Sequence, residues 1–184
     1  MKNIPNLLSL LRILLIPFFV HQLLIGNTLN AGIILLISAL TDFLDGKLAR
    51  KFGWITDLGK VLDPIADKLT QFAVSITLAI TLRQYWIFFA VIIFKDIVIL
   101  LGGGYLMKRG IKLEGAKWFG KVATFIYYFA TILIILIPGM PNWFITLILS
   151  LAVICALISA FLYIPEFFKY KKNNNPNSQS FKGD

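Results

Sequence analysis

Five of the chain's nine acidic residues, Asp42, Asp45, Asp57, Asp63 and Asp67, fall within 26 positions of a 184-residue sequence. Four of them pair by helical spacing: Asp42 and Asp45 are three apart, Asp63 and Asp67 four apart, so each pair shares one face of a helix. Two adjoining antiparallel helices could therefore present four carboxylates to one point. Carboxylate oxygens are hard ligands, suited to Mg²⁺ or Mn²⁺ rather than to zinc or copper, and two such divalent cations would balance four negative charges. A counter-charge is needed, because an Asp at bilayer depth costs about 2.5 to 3.5 kcal/mol on insertion scales. The competing reading pairs these aspartates with the nearby Lys47, Arg50, Lys60 and Lys68 at the membrane interface.

Small residues accompany the acids. Gly46 directly follows Asp45, Ala49 lies a turn further on, and Gly59 lies four residues before Asp63. A missing side chain lets a ligand or a neighbouring helix approach the backbone closely, although plain helix packing would account for any one of these positions.

The elements that must position these groups are membrane helices. The chain is 58% hydrophobic with a mean hydropathy of +0.81, more apolar than a water-soluble fold can hide. Apolar stretches of about 20 residues, enough to cross a hydrocarbon core, recur along its length. They predict an all-α integral membrane protein with six transmembrane helices, over Pro5 to Ile25, Asn30 to Ala49, Gly59 to Leu82, Tyr85 to Met107, Phe119 to Ile137 and Asn142 to Phe168. Residues 1–170 form one six-helix membrane domain in this reading, and residues 171–184, polar and Asn-rich, a disordered cytoplasmic tail. Lys2 ahead of an apolar run resembles a signal peptide, but no small-residue cleavage pattern follows Ile25, so the first segment is read as a permanent helix.

Charge sets the expected orientation. Lys2, Arg12, Arg50, Lys51, Lys60, Lys108, Arg109, Lys112, Lys117, Lys121, Lys169, Lys171 and Lys172 share one side of the six-span arrangement, and the short loops opposite carry only Arg83. Both termini and the acidic cluster are then cytoplasmic, in a multi-pass protein of the plasma membrane. The net charge of +9 borders apolar spans flanked by Trp54, Trp86, Trp118 and Trp143, which points to membrane lipid headgroups or phosphate substrates and not to nucleic acid. The single Cys155 excludes a disulfide framework and a Cys-based metal site.

Read together, Asp42, Asp45, Gly46, Ala49, Arg50, Gly59, Asp63 and Asp67 spell DxxDGxxAR, eight residues, then GxxxDxxxD. This resembles the signature of the CDP-alcohol phosphatidyltransferases at every position. The resemblance implies transfer of the phosphatidyl group of CDP-diacylglycerol to an alcohol, with release of CMP. It implies one cation on Asp42, Asp45 and Asp63, a second on Asp42, Asp63 and Asp67, and Asp67 as the catalytic base that takes the acceptor's proton. It further implies that Gly46, Ala49, Arg50, Thr56 and Gly59 line the CDP pocket. The opening NIPNLLSLLR is similar to the start of bacterial phosphatidylglycerophosphate synthases, which adds Pro5 and Asn6 to that pocket. Members of the family often dimerise, so a homodimer is allowed, with no sequence feature marking its interface.

The acceptor is expected to be glycerol 3-phosphate, whose phosphate needs cations. Lys117 and Lys121, four apart, and Lys95, deep in the fourth span beside Asp96, are the candidates. For Lys95 the competing reading is an ion pair with Asp96. Lys95-Asp96 and the Gly102-Gly103-Gly104 run depart from the phosphatidylglycerophosphate synthase pattern towards that of the cardiolipin synthases, which use phosphatidylglycerol; this is the alternative acceptor. A cation transporter predicts carboxylates near the bilayer midplane and repeated halves, neither of which is visible. An inert lipid-binding relative would have no need of all eight signature residues.

Overall fold

The structure, a computed structural model, describes residues 4–54, 56–108 and 118–173. Among them are six long α-helices, one short 3-10 turn (Arg83–Tyr85) and no strand. The helices are α1 (Ile4–Leu24), α2 (Thr28–Phe52), α3 (Asp57–Thr81), α4 (Trp86–Lys108), α5 (Trp118–Leu136) and α6 (Asn142–Asn173). An apolar run in a bilayer must satisfy its backbone internally, and a helix does so within one segment. Five helices are long and apolar enough to cross a membrane. The sixth, α3, matches α2 in length at 25 residues, but Asp63, Asp67, Lys68 and Gln71 dilute its apolar character.

Each helix packs chiefly on two neighbours, closing a ring in the order α1, α3, α4, α6, α5, α2 and back to α1. The tightest packing is of α1 against α2 and α3. Phe19 and Leu23 of α1, Leu35 of α2, Val74 and Leu78 of α3, Phe89 and Ile92 of α4, Tyr127 and Ile135 of α5 and Leu149 of α6 meet in one core. Close approach of α2 to α5 requires Gly32, because a Cβ there would collide with the Leu136 side chain. The outward surface is apolar, with Leu7, Phe18, Phe94, Leu101, Phe125, Phe129 and Phe161 exposed. Trp86, Trp118 and Trp143 are exposed at or next to helix starts, where a lipid-water interface favours amphipathic rings.

Polar side chains inside the ring are mostly self-satisfied. The hydroxyls of Thr70, Thr77 and Thr131 donate to the carbonyls of Ala66, Ala73 and Tyr127 one turn back. Ser75 and the Tyr127 hydroxyl, 2.6 Å apart, link α3 to α5.

The connection from α2 to α3 decides where the acidic residues meet. Gly53 caps α2 in the left-handed region, φ +64°, its N–H bonding the Ala49 carbonyl, a conformation that suits a residue without Cβ. Thr56 then caps α3, its hydroxyl accepting from the Gly59 N–H at 2.9 Å. So short a turn brings the acid-bearing end of α2 to the acid-bearing start of α3, with α1 packed against both helices. At the far end of the chain, α6 runs on to Asn173, through the first positions of the expected tail; residues 174–184 lie outside the described set.

Candidate metal and substrate site

Asp42 and Asp45 occupy the last turns of α2, and Asp63 sits in the second turn of α3. One carboxylate oxygen from each lies within 4.8 Å of the other two. The cluster is enclosed on one side and open on the other: the Asp45 side chain is 3% exposed, those of Asp42 and Asp63 50% and 48%. Three convergent carboxylates with an open face are a donor set that fits a hard divalent cation. Asp67 follows one turn along α3, half-buried, and its Oδ1 accepts from the Tyr128 hydroxyl of α5 at 3.4 Å.

The residue that fills the centre of the cluster is Arg12. Its side chain, 2% exposed, enters from α1 between α2 and α3. Nη2 donates to Asp45 Oδ2 at 2.5 Å and to Asp63 Oδ1 at 3.4 Å, while Nη1 lies 2.6 Å from Asp42 Oδ1. Ser9, one turn earlier on α1, lies 3.4 Å from Asp45 Oδ2 and 3.1 Å from the Pro5 carbonyl. Charge counting places Arg12 only among the basic residues on one side of the membrane; the structure buries it, because α1 packs on both acid-bearing helices. The available sequence signal is that Arg12 is the only Lys or Arg in α1. Ser9 and Tyr128 carry no sequence signal of their own, since each is an ordinary polar residue in an apolar helix.

Of the residues expected to form the nucleotide pocket, Asn6, Thr56 and Gly59 meet at the N-terminal ends of α1 and α3. Thr56 Oγ donates to Asn6 Oδ1 at 2.9 Å while accepting from the Gly59 N–H. The bare Gly59 makes room for this contact: a Cβ would lie 2.6 Å from Asn6 Oδ1 and would push that side chain aside. Pro5 is buried one residue before Asn6; Gly46 and Ala49 are half-buried on α2. Arg50 belongs to α2, and its side chain lies outside the described residues.

The expected acceptor lysines are not brought together. Lys117 lies outside the described residues, and Lys121 is exposed on α5. Lys95 Nζ is 2.8 Å from Asp96 Oδ1, the pairing weighed against an acceptor role. Asp96, 2% exposed, also accepts from Lys68 Nζ at 3.1 Å, and Lys68 in turn bonds Gln71 Oε1 at 2.9 Å. Two cations thus share one buried carboxylate, the Lys68 pair joins α3 to α4, and Lys68 serves Asp96 although Asp67 is its neighbour in sequence.

Fold and site together define an all-α, multi-pass membrane protein whose α2–α3 junction collects carboxylates able to hold a divalent cation. The chain belongs to the CDP-alcohol phosphatidyltransferase family, whose sequence profile matches residues 2–163, and it is an enzyme of that class. It is 40% identical over 124 residues to the CDP-diacylglycerol–glycerol-3-phosphate 3-phosphatidyltransferase of Aquifex aeolicus, covering 66% of this chain and 69% of that one. The Escherichia coli protein of the same name is 34% identical over 128 residues, 66% of this chain and 70% of the relative. A CMP-forming cardiolipin synthase of Streptomyces coelicolor is 33% identical over 146 residues, 74% of this chain and 66% of the relative.

Proposed function

We propose that the protein transfers the phosphatidyl group of CDP-diacylglycerol to a hydroxyl of glycerol 3-phosphate, releasing CMP, at the carboxylate site between α2 and α3. The observation that carries this reading is the convergence of Asp42, Asp45 and Asp63 within 4.8 Å, inside a stretch that holds all eight family signature residues. The choice of acceptor is supported by the names of the relatives in Aquifex aeolicus and Escherichia coli.

Asp42, Asp45 and Asp63 would hold one divalent cation, and Asp42, Asp63 and Asp67 a second. When bound, Mg²⁺ or Mn²⁺ would neutralise the pyrophosphate and stabilise charge on the departing CMP. Asp67 takes the proton of the acceptor hydroxyl as that oxygen attacks the β-phosphorus in line; the bond to the bridging oxygen breaks, and CMP leaves with the electron pair. Asp67 acts by position rather than by basicity, and the Tyr128 hydroxyl, 3.4 Å from Oδ1, restrains the carboxylate. Asn6, Thr56 and Gly59, with Pro5, Gly46, Ala49 and Arg50, receive the cytidine diphosphate group, Arg50 offering a guanidinium that can bond phosphate in pairs. The acyl chains stay in the bilayer. The clustering of Lys and Arg around the α2–α3 junction and the end of α6 supports a site facing the cytoplasm from the plasma membrane.

Phosphatidylglycerol is the second acceptor to consider, because the Streptomyces coelicolor cardiolipin synthase aligns over more of this chain than the other two relatives, and because Lys95 is committed to Asp96. The test supplies purified protein with CDP-diacylglycerol, Mn²⁺ and either acceptor, and identifies the lipid product by mass spectrometry. Phosphatidylglycerophosphate is expected; cardiolipin as the sole product would transfer the assignment to the second reading.

A further inference from the structure

Arg12 and a divalent cation seek the same oxygens. The guanidinium touches Asp42, Asp45 and Asp63, the three carboxylates that converge within 4.8 Å. A buried arginine in a purely structural pair ordinarily satisfies its five donors. Here Nε has no hydrogen-bond partner among the described residues, and Nη1 meets Asp42 Oδ1 as an ion pair at 2.6 Å. The side chain is thus drawn into the cluster by charge while Nε leaves part of its hydrogen-bonding capacity unmet.

We propose that Arg12 is the internal countercation of this cluster: it holds Asp42, Asp45 and Asp63 together when no metal is bound, and it sets divalent-cation affinity by competing for them. The inference rests on the metal reading of the same site. Cation binding is then an exchange in which the guanidinium gives up carboxylate oxygens, and a single positive charge a few ångströms away opposes each incoming ion. Two consequences follow. The empty site does not fly apart by carboxylate repulsion, so the enzyme survives metal loss. The loaded site, with two divalent cations and Arg12 against four aspartates, carries one net positive charge, which favours an anionic pyrophosphate substrate.

The test measures Mn²⁺ binding by electron paramagnetic resonance on detergent-purified wild type, Arg12→Gln, Arg12→Lys and Asp63→Asn, with thermal unfolding in EDTA and in Mn²⁺. Arg12→Gln is expected to bind Mn²⁺ at least tenfold more tightly, to melt lower than wild type in EDTA, and to gain more from Mn²⁺ than wild type does. Arg12→Lys keeps the charge but loses the fork that reaches three carboxylates, and shows a smaller gain of the same sign. Affinity equal to or below wild type in both variants, or a melting loss that Mn²⁺ leaves undiminished, would overturn the proposal and leave Arg12 a strut between helices. If Arg12→Gln does not fold, Arg12→Lys decides alone by the same criterion. Failure of the metal reading is distinct: wild type would then bind no Mn²⁺ that Asp63→Asn abolishes.

Discussion

An alanine at position 59 separates what stabilises the start of α3 from what the substrate pocket needs. The added Cβ would lie 2.6 Å from Asn6 Oδ1 and 3.0 Å from Thr56 Oγ, well inside the roughly 3.5 to 4.0 Å of favourable contact. Asn6 is the mobile partner, a short side chain on α1, so it swings away and gives up the 2.9 Å bond from Thr56. Losing that bond costs about 0.5 to 1.5 kcal/mol, and replacing Gly by Ala in a helix returns up to about 1 kcal/mol. The two nearly cancel, so the melting temperature in detergent should move by no more than a few degrees. Binding of CDP-diacylglycerol should suffer instead: displacing Asn6 removes about one hydrogen bond to the nucleotide, about 1 kcal/mol, or roughly a fivefold rise in KM. Initial rates of CMP release against CDP-diacylglycerol concentration measure it. In an Asn6→Ala background the same alanine should raise KM no further, because the group it displaces is already gone. An unchanged KM in Gly59→Ala, or additive effects in the double variant, would refute the assignment of Asn6 to the substrate.

Tyr128→Phe removes the hydroxyl 3.4 Å from Asp67 Oδ1 and should lower kcat by about threefold to tenfold with little change in KM, read from the same rates. Asp96→Ala strands Lys68 and Lys95 beside a buried position and should destabilise by about 3 to 5 kcal/mol, seen as a large drop in melting temperature. Gly32→Ala forces a methyl into the Leu136 side chain and should cost about 1 to 3 kcal/mol; Leu136→Ala in the same chain should recover part of that loss.

The helices were legible because apolar runs end abruptly at polar residues. α1, α4 and α5 begin and end within one residue of the expected spans, α3 within two, and α2 starts two residues earlier and ends three later. α6 overran its expected end because nothing in FKYKKN breaks a helix, which simply continues beyond the apolar stretch. The aspartate pairs were legible because helical periodicity alone puts each pair on one face. Arg12 was not. Its role depends on α1 lying against both α2 and α3, a fact of packing that no local pattern in a single apolar segment encodes. The same holds for Lys68, whose neighbour in sequence is Asp67 but whose partner across the α3–α4 contact is Asp96. Thr56 and Gly59 were marked by family resemblance; the structure adds a physical reason, a cap whose bare glycine admits the Asn6 side chain.

The most direct test of the account is CMP release from CDP-diacylglycerol and glycerol 3-phosphate by the purified protein, with Mn²⁺ and after EDTA, in wild type and Asp45→Asn. The account predicts turnover that EDTA abolishes and Mn²⁺ restores, and that falls by at least a hundredfold in the variant. Turnover that survives both EDTA and the loss of the Asp45 charge would contradict it.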